Sequence, residues 1–373
     1  MPTEDVYRRL QQHLDRMPIG FPATESGVEL RLLRQLFTPE RAAVALELSA
    51  IPETVAVIHK RLKRAYSREA LAAELDAMAT DGLIEKMGRR TPRYSKSMLV
   101  VGIYERQLGR LTPDLERDML QYGREAFGDS FLATKTRQFR TVPVNLTIQP
   151  ERNVAPYDDI RAFVRTTSGP FAVMPCICRQ GKDLVGEPCH QTHVRENCLT
   201  FGGAAEHMVE SGTARAISRD DMLQLLDDAD REGLVLQPQN TQEPLFVCCC
   251  CGCCCGVLTI AKRMPEPARY LTTNYLAVVD EALCEACGTC YARCQLDAIS
   301  LDTGKAQVLD THCIGCGLCV STCQPGAIAL AQTARERVPP ADTRALYTKI
   351  FQERFGTWGA AVAVARSALG RKV

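Results

Sequence analysis

Eight cysteines toward the C-terminal end of this 373-residue chain constrain it more than any other feature. They form two copies of one pattern, Cys284, Cys287, Cys290 and Cys294, then Cys313, Cys316, Cys319 and Cys323. Two, two and three residues separate successive cysteines in each copy. The flanks repeat as well, since ALCEACGTCYARCQLDAISL at 282–301 aligns with THCIGCGLCVSTCQPGAIAL at 311–330, a period of 29 residues. A loop that returns a thiolate every third residue can wrap the corners of a polynuclear metal core. The chain has 19 cysteines, none before residue 176 and none after 323. Its first twenty residues carry neither a seven-residue apolar core nor a small-residue cleavage site, so no secretory signal is read and a cytoplasmic setting is expected. A reducing compartment keeps thiols free, so these cysteines read as metal ligands and not as a disulfide framework.

The repeat resembles the bacterial-type, two-cluster ferredoxins, in which the fourth cysteine of each run ligates the other cluster. The resemblance implies two 4Fe-4S clusters, one on Cys284, Cys287, Cys290 and Cys323, the other on Cys313, Cys316, Cys319 and Cys294. It also implies a small α+β fold with a pseudo-twofold axis and one-electron transfer. Gly288 and Gly317 suit tight ligand loops. Four cysteines also suffice for zinc, but two full copies at this spacing favour iron–sulfur clusters. One departure stands out: the proline that usually follows the fourth cysteine is Gln295 in the first copy and Gln324 in the second.

Eleven further cysteines lie upstream: Cys176, Cys178, Cys189 and Cys198, then the run FVCCCCGCCCG with Cys248, Cys249, Cys250, Cys251, Cys253, Cys254 and Cys255. So many free thiols would be an oxidation hazard, and ligation is the economical reading. In an extended strand one face would offer Cys248 and Cys250 and the other Cys249 and Cys251, with Gly252 turning the chain toward Cys253. The expected ligands are Cys176, Cys178, Cys189, Cys198, Cys248, Cys250, Cys251, Cys253 and Cys254, holding at least one further iron–sulfur centre. His190, His193 and His207 are candidates for a mixed site, and Arg179 and Lys182 for balancing cluster charge. The run resembles the CCG-type cysteine motifs of heterodisulfide reductases, with different spacing. The combination of a CxCR segment, a Cys-Gly-Cys-Cys segment and a C-terminal dicluster module is similar to that of multidomain 4Fe-4S proteins of anaerobes.

Before these cysteines the pattern is helical. Helices are predicted over 3–17, 28–37, 39–49 (Thr38 as cap, Pro39 opening), 52–64 and 68–80 (Ser67 as cap). Two short strand-like runs separated by a Gly-Arg-Arg-Thr-Pro turn follow, and this order resembles a winged helix-turn-helix over 25–104. Residues 1–104 hold 16 Lys plus Arg and 13 Asp plus Glu, yet the helix that would enter a DNA groove carries Arg68 against Glu69, Glu74, Asp76 and Asp81. Phosphate contact needs positive charge, so the reading favours protein docking over DNA. A connector is expected over 105–150, with a strand-like TVPVNLTIQP at its end. A helix is expected over 219–232, opened by a Ser218/Asp221 capping box and closed by Gly233. The last helix, 342–369, carries an apolar stripe of Leu346, Ile350, Phe351, Phe355, Trp358 and Val362.

The expectation is thus an α+β, multi-domain chain: a winged-helix-like domain (1–104), the connector (105–150), a cysteine-rich cluster-binding domain (151–275), a dicluster ferredoxin domain (276–332) and a C-terminal helical segment (333–373). Charge is balanced, 45 basic against 44 acidic residues, and no apolar run spans a bilayer. No GxGxxG or P-loop motif is present, so nucleotide or flavin chemistry is unsupported. The function read from these features is relay of single electrons between a redox partner protein (ferredoxin, reductase or dehydrogenase) and the middle centre. Two alternatives are an oxidoreductase with chemistry at that centre and a redox-sensing DNA-binding regulator.

Overall fold

The computed structural model describes residues 3–88, 90–144 and 156–373. The chain divides into two compact units, residues 1–136 with 347–373, and residues 137–346. Helix and sheet are mixed, as the α+β reading expects.

In the first unit, α1 (Thr3–Leu14), α2 (Val28–Leu36) and α3 (Pro39–Ala45) bury Leu10, Leu32 and Leu33 completely. Thr38 caps α3 by accepting the Arg41 N–H at 3.3 Å, as its position before Pro39 predicts. The expected helix at 52–64 starts late, because Glu53 and Thr54 form a short strand β1 (Glu53–Thr54), and α4 (Val55–Leu62) follows. Then come α5 (Arg68–Thr80), capped by Ser67, and the hairpin β2 (Ile84–Met87) and β3 (Arg93–Lys96). The sheet order is β1-β3-β2, antiparallel throughout. Two acidic residues of α5 and Asp81 just after it pair with local bases: Glu74 and Asp81 with Arg41 at 2.8 and 2.5 Å, and Asp76 with Lys86 at 2.6 Å.

The segment expected as a connector is packed structure up to the end of this unit. It carries α6 (Pro113–Tyr122) and α7 (Gly128–Leu132), which bury Leu115, Tyr122, Phe131 and Leu132. Asp118 on α6 pairs with Arg31 on α2 at 2.8 Å. The periodic leucines of this stretch are therefore a core face, with α2 as its partner. Most of the strand-like stretch at 141–150 lies outside the described residues; its first part bridges at Val142 to Leu236.

The second unit is built on a five-stranded antiparallel sheet. Its elements are α8 (Ile160–Thr166), β4 (Phe171–Pro175), α9 (Ile177–Leu184), β5 (Glu196–Phe201), α10 (Gly202–Glu210), β6 (Arg215–Ile217), α11 (Arg219–Arg231), β7 (Val235–Pro238) and β8 (Phe246–Cys250), with strand order β6-β4-β5-β8-β7. The predicted capping box of Ser218 and Asp221 is present, and Gly233 adopts φ 73° where α11 stops. One sheet face, with Leu199, Phe201, Leu236 and Val247 buried, packs under helices; Phe163 of α8 meets Phe201 edge-on at 5.2 Å.

After α12 (Gly256–Ala261) the chain enters the repeat. Strand β9 (Tyr275–Val279), helix α13 (Thr289–Arg293), β10 (Ile299–Ser300), β11 (Gln307–Val308) and β12 (Ile328–Gln332) pair as β9 with β12 and β10 with β11. The 29-residue period maps β9 onto β11 and β10 onto β12, so the two strand pairs are related by the internal repeat. The last helix, α14 (Thr343–Ala368), departs from the expected continuous stripe. Gly356 breaks it at φ 77° and ψ 163°, and while Leu346 and Ile350 are buried, Trp358 beyond the break is 80% exposed. Among the described residues no helix is long and apolar enough to cross a membrane.

Candidate metal centres

The two ligand loops of the repeat fold alike because their backbones need the same unusual conformations. Residues 286, 288 and 297 have positive φ (57°, 80° and 53°), and so do 315, 317 and 326 one period later (62°, 76° and 68°). In the second copy all three are glycine, whereas the first has Ala286 and Asp297. At Gly315 a Cβ would also overlap the Tyr275 carbonyl.

The loops enclose two cavities. Cys284, Cys287, Cys290 and Cys323 line one, and Cys313, Cys316, Cys319 and Cys294 line the other. The fourth cysteine of each run thus reaches across to the other copy's cavity. Between them lies a shared apolar core containing Ala277, Ile299, Ala306, Ala327 and Ile328. Backbone amides point at the sulfurs in a symmetric way: Ala277 donates to Cys313 Sγ at 3.5 Å, its equivalent Ala306 donates to Cys284 Sγ at 3.4 Å, and Ala298 donates to Cys294 Sγ at 3.1 Å. Burial pushes the Cys319 thiol up to about 12 and Cys316 well above its ordinary value, so these sulfurs lose their protons only to a metal or a comparable positive charge.

The eleven upstream cysteines do not form one group. Cys189, Cys251, Cys253 and Cys254 have all four sulfurs within 4.8 Å of one another, and among the described residues this is the one such His/Cys/Asp/Glu group of three or more. The sulfurs lie 3.7 Å apart for Cys189 and Cys251, 3.6 Å for Cys189 and Cys253, 3.5 Å for Cys251 and Cys253 and 3.6 Å for Cys253 and Cys254. A single ion with metal–sulfur bonds of about 2.3 Å gives a tetrahedron whose edge is about 3.8 Å. The tetrad therefore fits one tetrahedral ion. A four-iron cube would hold its thiolates farther apart, because its core lies between them. Hydrogen bonding from Cys254 and the charge of Arg179, opposed by burial, lower the Cys251 thiol from its ordinary value, which favours its thiolate form.

A second set gathers on the open face of the sheet. Cys198 and Cys248 are register partners on β5 and β8, and alternation puts Cys250 on the same face. Cys248 lies near Cys198 and Cys250, and Cys250 near Cys255. Cys176, just after β4, lies near Cys178 at the start of α9. Arg179, 1% exposed, lies beside these thiols, and its Nη2 donates to the Cys249 carbonyl at 3.1 Å. Burial disfavours its charge, but the Cys176, Cys251 and Cys250 thiols outweigh that and hold the guanidinium ionised.

Cys249 belongs to neither set. It points to the helix-covered face with Val247, and burial pushes its thiol up to about 12. The sequence expectation that Cys249 and Cys251 would share a face fails because β8 ends at Cys250, and Cys251 turns away to join Cys189. Cys255, which is not among the expected ligands, stands just ahead of α12 with its Sγ 3.9 Å from Gln237 Oε1. The histidines stand outside the tetrad: His190 and His193 are exposed, and His190 contributes its backbone N–H to Cys253. Lys182 pairs with Glu187.

The two cysteine-rich regions meet at Gln295. Its Oε1 accepts the Gly252 N–H at 2.7 Å, and its Nε2 donates to Gln191 Oε1 at 3.0 Å. Gly252 sits between tetrad ligands Cys251 and Cys253, and a Cβ there would overlap the Gln295 carbonyl. Thus the residue following Cys294 in one module braces the loop that carries the tetrad in the other.

Residues 276–324 match the family described as 4Fe-4S dicluster domain. The comparisons with curated proteins and with solved structures give no match.

Proposed function

We propose that this chain is an electron-transfer protein in which a ferredoxin-type module relays single electrons between a redox partner protein and the adjoining cysteine-rich sheet. When bound, each 4Fe-4S cluster supplies a one-electron couple. The observation that carries the reading is the crossing of Cys294 and Cys323 into opposite cavities, which gives each four sulfurs. In this reading Cys284, Cys287, Cys290 and Cys323 hold one cluster and Cys313, Cys316, Cys319 and Cys294 the other. Ala277, Ala298 and Ala306 stabilise the more negative, reduced state through their N–H donors. Arg293, donating to the Leu318 carbonyl at 3.0 Å, fixes one ligand loop against the other.

The tetrad of Cys189, Cys251, Cys253 and Cys254 takes a single zinc or iron ion that locks the Gly252 loop against Gln295. The helix–strand–helix–helix–hairpin part of the first unit is winged-helix-like and docks a protein; the acidic character of α5 disfavours a phosphate backbone.

The test is an anaerobic reductive titration of the full chain followed by EPR and absorbance. Reversible uptake of electrons by two 4Fe-4S clusters, with no turnover by the chain alone, is expected. Metal that is redox-silent, or clusters that cannot be reduced and reoxidised, would overturn the proposal.

A further inference from the structure

We infer that Cys176, Cys178, Cys198, Cys248, Cys250 and Cys255 form a separate site for a polynuclear iron–sulfur centre bound through more than four thiolates. The six arrive from four places in the chain and gather at the open face of the sheet. Cys198 and Cys248 are register partners, Cys250 lies two residues on along the same face, and Cys255 approaches Gln237, the other register partner of Cys248. Cys176 and Cys178 lie at the start of α9, Cys176 near Cys248 and Cys178 near Cys255.

The spread of these sulfurs separates them from the tetrad. Among the described residues no three of the six lie mutually within 4.8 Å, and the same holds for each ligand set of the ferredoxin repeat. In this one molecule, then, contracted sulfurs mark a single-ion site and dispersed sulfurs mark the sites matched to clusters.

A second observation points to a ligand. Gln237 is 1% exposed and opposite Cys248 in the sheet; its Oε1 lies 3.9 Å from Cys255 Sγ, and its Nε2 has no hydrogen-bond partner. Arg179 Nε and Nη1 are likewise buried without partners. Buried donors of this kind need acceptors, which the sulfides and thiolates of an anionic centre provide. A cube takes four thiolates, one per iron, so six thiols around one cavity suit a larger or more open iron–sulfur core. Ligation of a preassembled centre exchanges each thiol's proton for an iron–sulfur bond and changes no oxidation state.

The inference assumes the iron-loaded protein of the proposed function but does not depend on electron relay. The test is iron-edge anomalous diffraction on full-length, anaerobically prepared protein, with iron and sulfide analysis of the wild type, Cys255→Ser and Cys249→Ala. Several irons at this site, bonded to five or six of the named sulfurs, are expected. Cys255→Ser should lower iron while the dicluster EPR signals persist, and Cys249→Ala should leave iron unchanged. No anomalous density there, a single ion, or a four-thiolate cube with two spare thiols would overturn the inference even where the dicluster remains reducible. Should Cys255→Ser fail to fold, the wild-type map alone decides.

Discussion

Gln295 stands where two-cluster ferredoxins usually carry proline, and its side chain does what a proline cannot: it accepts from Gly252 and donates to Gln191. Replacing it by leucine leaves the Gly252 N–H without that acceptor, a loss of about 1 kcal/mol or more. Gln295→Leu is expected to lower the midpoint of anaerobic chemical unfolding and to shift the potential of the cluster site that includes Cys294, and a redox titration reads the latter. Unchanged values for both would show the junction to be incidental. The first ligand loop offers an independent test. Ala286 holds φ 57° where its counterpart Gly315 has no Cβ, and a left-handed L-residue costs roughly 1–2 kcal/mol. Ala286→Gly is therefore expected to raise the thermal midpoint of the iron-loaded protein. Gly315→Ala, which drives a Cβ into the Tyr275 carbonyl, is expected to reduce iron retention in the second cavity.

Among the elements, β8 sorts the cysteine run. Its alternation sends Cys248 and Cys250 to the thiol face and Cys249 under the helices, so Cys249→Ser places a hydroxyl in an apolar layer and costs about 1–3 kcal/mol with no loss of metal. Cys248→Ser, by contrast, is expected to lose iron; metal analysis beside denaturant unfolding separates the two effects. Strand alternation was legible from the sequence, as were the caps of α3, α5 and α11 and the ligand loops, because each depends on residues close in the chain. The division of the upstream cysteines was not legible. It depends on where β8 stops and on which distant segment, Cys189 or Cys198, meets each thiol. The packing of α6 against α2 was hidden for the same reason, since periodicity reveals an apolar face but not its partner. In α14 the single residue Gly356 redirected the chain and left Trp358 outward, a turn that apolar spacing alone conceals.

At the scale of the whole molecule, two buried groups of the first unit give its stability a pH dependence. In the first unit His13 is buried, bonds the Leu48 carbonyl at 2.7 Å, and is lowered to about 3 by burial and by Lys96, Lys372 and Arg16. Unfolded His13 takes a proton near its ordinary value of 6.5, so between about 6.5 and about 3 the unfolded chain binds more protons and stability falls as pH falls. Lys96, whose Nζ donates to the His13 carbonyl at 2.9 Å, is lowered by burial to about 7. From there to its ordinary 10.5 the unfolded chain again holds the extra proton, and this term rises with pH. His13→Gln is expected to flatten the acid limb of the unfolding-midpoint profile, by an amount on the order of a few kcal/mol, and to spare the alkaline limb. In the second unit the ferredoxin module, the tetrad and the six-thiol site share one framework, and electron transfer through the module is the central claim. Mössbauer spectroscopy of the iron-57-loaded, anaerobically prepared chain before and after stoichiometric reduction tests it most directly. The account expects two 4Fe-4S components, about eight irons, that change valence together on reduction and return on reoxidation. Fewer than two such components, or components that reductant leaves unchanged, would contradict it.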